Sequence, residues 1–382
     1  MNRCRDQRGG PGTESHRGAP LLRYLSLRSA PCNRARYDSG GYGEAVTDSA
    51  GFIRGLPKVE LHLHIEGTLE PELRFALAER NGIRLAHPDV AELRASYRFN
   101  DLTSFLVSYY EAMQVLVTAD DFHDLAWAYL RRAHDENVRY VEMFFDPQAH
   151  TSRGVAFDTI VGGLRRAIVA ARQQLGLRAE LIMCFLRDHS AESAMATLAQ
   201  SLPYREWIVG VGLDSDERDN PPAKFAEVFA RARSEGYQIT MHCDVDQKNT
   251  VEHIRQCLEV IGVDRIDHGV NILESEKLVS ELRRRGLGLT VCPISNRWVT
   301  GDLKAAEIKR LLELGIRVTV NSDDPAYFGG YLTDNLVALQ EAAGLGPAEL
   351  VQLQRNAIEI SWLPSGAKAH LLADLERYAG IG

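Results

Sequence analysis

Four polar side chains occupy a stretch that otherwise reads as an apolar strand. In VELHLHIE, residues 59–66, Val59, Leu61, Leu63 and Ile65 alternate with Glu60, His62, His64 and Glu66. A strand sends successive side chains to opposite faces. The spacing therefore predicts that two imidazoles and two carboxylates share one face while the apolar set packs away from them. Burying such groups without partners is costly, and one metal ion can satisfy several at once. H-x-H on a strand brings both rings within reach of a single ion.

Other residues of the same chemistry end other strand-like segments. His242 falls near the end of QITMHCD, His268 near the end of RIDHGV, and Asp323 and Asp324 at the end of RVTVNSDD. Three neutral imidazoles, His62, His64 and His242, with the carboxylate of Asp323 suit one Zn2+ per chain or a similar divalent ion. The chemistry that follows is metal-assisted hydrolysis, in which the ion acidifies water. His268 can take the proton or stabilise the developing charge. Of the acid pair, one member can ligate the ion while the other meets substrate or orients water.

These residues need elements that bring them to one place. Eight candidate strands run at 59–66, 138–146, 178–186, 208–214, 238–244, 265–270, 287–295 and 317–323. Helical patterns fall between most of them. The segment 222–236 has a Pro-led start and a Gly stop, and 250–262 places Val251, Ile254, Leu258 and Ile261 on one face. Eight strand–helix units with short connectors predict an α/β fold, a (β/α)8 TIM barrel. A doubly wound sheet would need a phosphate-binding Gly loop, and no G-x-G-x-x-G is present. Roughly seventy residues separate the first two strands and carry helical patterns at 71–81, 101–116 and 119–136. Such an insertion after a barrel strand caps the catalytic end. Within it, Phe105, Tyr109, Tyr110 and Met113 recur at helical spacing and read first as core, with one or two available to roof a flat aromatic substrate.

Composition narrows the class. Hydrophobic residues make up 45% of the 382 and charged residues 25%, a globular balance. The net charge is −8; residues 1–50 hold eight Arg against five acids, so they carry +3 and the remainder −11. An acidic body argues against nucleic acid as a partner, and no apolar run reaches membrane-spanning length. The six cysteines have no C-x-x-C spacing and read as reduced thiols, which favours the cytoplasm. Residues 1–50 are rich in Arg, Gly, Ser and Pro, lack periodicity, and have no apolar signal core. They read as a disordered tail or an over-extended gene start before one domain at 51–382.

The chain resembles the adenosine/adenine deaminase family, a barrel branch of the zinc amidohydrolases. The likeness is carried by LPKVELHLHIEGTLEPEL (56–73), FFDPQAHTSRG (144–154), VGLDSDERDNPPAKF (211–225), MH (241–242), DRIDHGV (264–270), LTVCPISN (289–296) and VTVNSDDPAYFGGYLTDN (318–335). It implies metal ligation by His62, His64, His242 and Asp323, water handling by His268, and a hydrogen bond from Asp324 to a purine ring nitrogen. Glu66 matches a position that touches the sugar in adenosine enzymes, where Asp is usual. Glu66, LDS and SDDPAYFGGY look more like the adenine-type branch, so the implied substrate is a 6-aminopurine, adenine ahead of adenosine. The other zinc deaminase design, H-x-E with P-C-x-x-C, is absent.

Two departures from the family pattern stand out. The family writes H-A-G-E at the fifth strand, where the Glu protonates the ring; here His242-Cys243-Asp244-Val245 places an apolar residue at the acid position. Asp244, on the His242 face by alternation, and Asp246, one residue late, are the candidate replacements. Otherwise the proton comes from elsewhere and the substrate is not an ordinary aminopurine. Second, where adenine-type members read S-E-x-G-N-P-P, this chain has Asp216-Glu217-Arg218-Asp219 before Asn220, which leaves Glu217 as the expected substrate-edge contact. Two alternatives follow: a deaminase of another heterocycle, such as a pterin or modified nucleoside, and a metal-binding pseudoenzyme.

Overall fold

The computed structural model describes residues 49–99, 101–243, 245 and 248–380. Eight parallel strands lie in sequence order: β1 Lys58–Glu60, β2 Val138–Phe145, β3 Arg178–Leu186, β4 Ile208–Asp214, β5 Gln238–Cys243, β6 Arg265–His268, β7 Gly288–Val291 and β8 Arg317–Val320. Each pairs with the next in parallel register. The sheet closes between its first and last strands through the bridge Leu63↔Asp323, flanked by Asp323 N–H to the His62 carbonyl at 3.1 Å and His64 N–H to the Asp323 carbonyl at 3.0 Å. This is the (β/α)8 TIM barrel that the strand count predicts. The tail assigned to residues 1–50 lies outside the described residues, except that Ser49 and Ala50 open the helix Ser49–Gly55.

The long first connection is helical. It contains Pro71–Arg80, Val90–Ser96, Leu102–Ala112 and Ala119–Asp135. Asp101 caps the third, its carboxylate accepting from Ser104 N at 2.8 Å. Thr118 and Asp121 form a reciprocal box at the start of the fourth, with Thr118 N donating to Asp121 Oδ2 at 2.7 Å. These caps fix where each helix begins and hence which face turns to the barrel mouth.

The first strand departs from its predicted extent in one instructive way. Regular pairing ends at Glu60, and Glu66 opens a 3-10 turn, Glu66–Thr68. Period-two alternation therefore does not carry all four polar residues to one point. Glu60 instead accepts from Ser322 N at 3.0 Å and Tyr129 Oη at 2.6 Å, so it underpins the end of β8. Burial pushes its carboxyl up to about 7. Only His62 and His64 of the four reach the centre of the barrel mouth.

Candidate active site

The mouth gathers four histidines. Each of the three predicted ligands has its Nδ1 side turned toward an acceptor on another part of the barrel. His62 Nδ1 lies 3.1 Å from the Thr290 carbonyl, His64 Nδ1 is 3.5 Å from Asp214 Oδ2, and His242 Nδ1 is 3.6 Å from Asp267 Oδ2. A carbonyl can only accept, so His62 carries its proton on Nδ1 and leaves the Nε2 lone pair exposed. That Nε2 points at Asp323 Oδ1, 3.2 Å away, and makes no hydrogen bond. His64 Nε2 and His242 Nε2 approach to 3.0 Å, and His64 Nε2 is 3.5 Å from the same Asp323 oxygen.

This arrangement fits a cation. Ligand atoms of His62, His64, His242 and Asp323 all lie within 4.8 Å of one another, and all four residues are buried. Burial pushes His64 down to about 3 and His242 well below the ordinary histidine range, which favours neutral rings with free lone pairs. Asp323 is held well below the usual carboxylate range: burial would raise it, but the charges of His62 and His268 outweigh that. His62 differs: burial would lower it, but the charge of the Asp323 carboxylate beside it outweighs that and raises it. Three imidazole nitrogens and one carboxylate form a donor set suited to a divalent ion such as zinc.

His268 stands beside this group, its Nε2 3.8 Å from Asp323 Oδ2 and its ring 4.6 Å from that of His62. Burial lowers it to about 4, which suits a proton acceptor. Three residues at the mouth have a left-handed backbone uncommon for side-chain-bearing residues: His268 (φ 57), Asp323 (φ 63) and Ser215 (φ 71). Such positions concentrate at functional sites. Asp324 lines the same cavity, and burial, then the charge of Asp323, raises its carboxyl well above the usual range. A neutral carboxyl there can donate a hydrogen bond. Its seat is made by Gly67, where an added Cβ would meet Asp324 Oδ1 at 2.1 Å and Asp324 Cα at 2.7 Å.

The helix Leu102–Ala112 roofs the cavity with Phe105, Tyr109 and Tyr110, while Met113 remains in the core. Tyr110 donates to Ser215 Oγ at 2.7 Å and Tyr109 to Asp146 Oδ2 at 3.4 Å. The roof is thus tied to the ends of β2 and β4. The cavity is partly open to solvent and holds about 50 Å3 of space.

The other expected site residues are placed differently. Val245 is buried on the cavity wall, and its carbonyl accepts from Asn271 Nδ2 at 3.1 Å. Asp244 and Asp246 lie outside the described residues. Glu66 sits behind the wall, accepting from His150 Nε2 at 2.9 Å and the Asp146 amide at 3.2 Å. Glu217 also sits behind it, hydrogen-bonded to His253 and 3.6 Å from Arg187, whose Nη1 holds the His242 carbonyl at 2.9 Å. Neither glutamate is among the cavity-lining residues. In the divergent loop, Asp219 keeps a left-handed φ of 60 at the position where adenine-type members write Gly.

Three acids escaped the sequence reading. Asp146 and Asp214 both line the cavity, and Asp267 backs His242 while accepting from Thr240 and Thr290, each at 2.7 Å. Asp146 and Asp214 carried a usable signal: FFDP and GLDS end strands as NSDD does, with an acid after an apolar run. Asp267 did not, because it stands one residue before a more conspicuous histidine.

The family description adenosine deaminase matches residues 57–378. A Schizosaccharomyces pombe protein named as a deaminase is 49% identical over 335 residues, 87% of this chain and 99% of its own length. A protein from Cupriavidus metallidurans named adenine deaminase is 48% identical over 331 residues, 86% of this chain and 93% of its own. The crystal structure of adenine deaminase from Arthrobacter aurescens superposes with a TM-score of 0.82 at 44% identity, covering 85% of this chain and 99% of that one.

Proposed function

The chain belongs to the adenosine deaminase family, and we propose that it is a zinc-dependent hydrolase that removes the 6-amino group of adenine as ammonia. The observation that carries this reading is the convergence of His62, His64, His242 and Asp323 on one point beneath an aromatic roof. Relatives named adenine deaminase support the base as substrate.

His62, His64, His242 and Asp323 would hold one ion per chain, which when bound acidifies water at neutral pH. His268 accepts the proton of the attacking water. Asp324, held neutral by its surroundings, donates to a purine ring nitrogen and fixes the ring over the site. Phe105 and the tyrosines exclude bulk water, which strengthens both hydrogen bonds. Asp244 or Asp246 delivers the proton that the family takes from the Glu at the Val245 position.

Val245 favours a second reading, a metal-binding protein without turnover. An ammonia-release panel on zinc-loaded protein separates the two. It should include adenine, adenosine, a pterin and modified nucleosides, repeated with Asp244→Asn and Asp246→Asn. Turnover of adenine with loss in one variant supports the first reading. Tight stoichiometric zinc with no ammonia from any compound supports the second, and faster release from a pterin or modified nucleoside moves the substrate to that class.

Among the described residues no helix is long and apolar enough to cross a membrane. We place the protein in the cytoplasm on the strength of its free buried thiols, Cys184, Cys243, Cys257 and Cys292. Truncation to a chain beginning at Asp48 is expected to leave folding and turnover unchanged, measured by melting and ammonia release.

A further inference from the structure

The outer face of β5 carries a cluster of its own. His242 turns inward to the mouth, so Met241 and Cys243, its neighbours on the strand, turn outward to the helix layer. Cys257 meets them there. Its Sγ lies 3.6 Å from Cys243 Sγ and 3.7 Å from Met241 Sδ. All three side chains are at most 1% exposed. Cys257 also opens a π-helical turn, Cys257–Ile261. Such turns are rare and recur at functional sites. Packing alone requires no sulfur at this point: in the family's H-A-G-E pattern an Ala stands where this chain has Cys243.

Two thiols and a thioether form a soft donor set, and such sulfur ligands select Cu(I). Among the described residues, no group of three or more His, Cys, Asp and Glu at ligand spacing includes Cys243 or Cys257, so the cluster does not suit a hard cation. The spacing fits a small ion. With about 2.3 Å for a metal–thiolate bond, sulfurs arranged in a plane around one ion lie about 4.0 Å apart. The contacts of 3.6 and 3.7 Å need open only slightly to admit it.

We propose that Met241, Cys243 and Cys257 form a buried site for one soft monovalent cation of the Cu(I) class, separate from the four residues that converge at the mouth. The entering ion forms two bonds to thiolates and one to the thioether. Both thiol protons pass to solvent, no electron is transferred, and the complex carries one negative charge. A cation stands beside it: buried Arg187 holds the His242 carbonyl through Nη1 at 2.9 Å, with Glu217 3.6 Å away, and its Nη2 makes no hydrogen bond. In a reducing compartment the two thiols stay available to an ion.

The test is a binding experiment and needs no turnover, so it stands apart from the deaminase reading. Zinc-loaded full-length protein carrying Cys4→Ser and Cys32→Ser, which removes the thiols of residues 1–50, serves as parent. It is titrated with Cu(I) in the absence of oxygen, in competition with a Cu(I)-selective chelator. The parent is expected to bind one equivalent, to gain a near-ultraviolet sulfur-to-copper charge-transfer absorption, and to keep its zinc. Cys243→Ala and Cys257→Ser should each weaken binding by about 1000-fold, and the volume-conserving Met241→Leu by about tenfold. If Cys257→Ser does not fold, Cys243→Ala, which restores the family's residue, and Met241→Leu decide. Parent-like affinity and absorption in Cys243→Ala, loss of one zinc for each copper bound, or no copper bound by the parent overturns the proposal.

Discussion

The two rims of the cavity differ in kind. At the β8 rim, Asp323 and Asp324 are fixed from several sides: the Leu63 bridge, the Gly67 seat, and Glu60 under Ser322. At the β5 rim, His242 is equally well placed, but three residues later Val245 stands where the family writes its proton-donating Glu. The difference separates two requirements within one site. Holding a cation depends on nitrogen and oxygen atoms converging from rigid strands. On the proposed reading, delivering a proton to the substrate falls to the segment after β5, where the sequence departs from the family while the strand ends keep its residues.

Removing a donor on the shared side should have the largest effect. His242→Ala is expected to abolish stoichiometric zinc and lower ammonia release by about 1000-fold or more, read by elemental analysis and steady-state assay. Gly67→Ala should keep zinc but push Asp324 out of place, cutting kcat/KM by about 100-fold through misplacement of the ring. Retention of full activity would show that the β8 rim tolerates movement and would break the contrast. Asp267→Asn removes the negative charge behind His242 and should weaken zinc by about 10–100-fold, measured by competition with a chelator. Val245→Glu addresses the other rim directly: a carboxylate restored there should raise kcat on adenine by about tenfold. A fall in activity would mean that the loop has been rebuilt around a different donor.

The smallest effect concerns pH. The folded Glu60 carboxyl, raised to about 7 by burial, holds its proton between the unfolded value near 4.5 and 7, where the unfolded chain has lost it. Its contribution to stability therefore falls as pH rises through that window and levels off above 7. Glu60→Gln should melt closer to the parent, or above it, at pH 8 than at pH 4.5, by roughly a few degrees. A gap that does not change with pH would remove Glu60 from the account of the β8 rim.

Much of the barrel was legible in the sequence because short apolar runs alternate with helical patterns, and several of those runs close on His or Asp. The runs located all eight strands, and the polar residues that close several of them brought His62, His64, His242, His268, Asp323 and Asp324 to one mouth. The pattern failed where periodicity gave way to irregular chain. Glu60 and Glu66 share the alternation of His62 and His64, yet pairing stops at Glu60 and a turn begins at Glu66, so both face other partners. Contacts between distant segments were also out of reach. The Thr290 carbonyl orients His62 across 228 positions of sequence, and no local pattern announces such a pairing. The roof was read as core first, because aromatic spacing on a helix does not show which turn overhangs an opening.

The seam between β1 and β8 has a consequence for assembly of the fold. Those strands meet through an isolated bridge at Leu63 and a side-chain bond from Leu61 N to Asn321 Oδ1 at 2.9 Å, not through a full ladder. His62 and His64 lie on one side of that join and Asp323 on the other, so a cation shared among them acts as a clasp. Stripping the ion would then unbutton the cylinder at the place where its first strand meets its last, and amide protons along that line would exchange before those of any neighbouring pair.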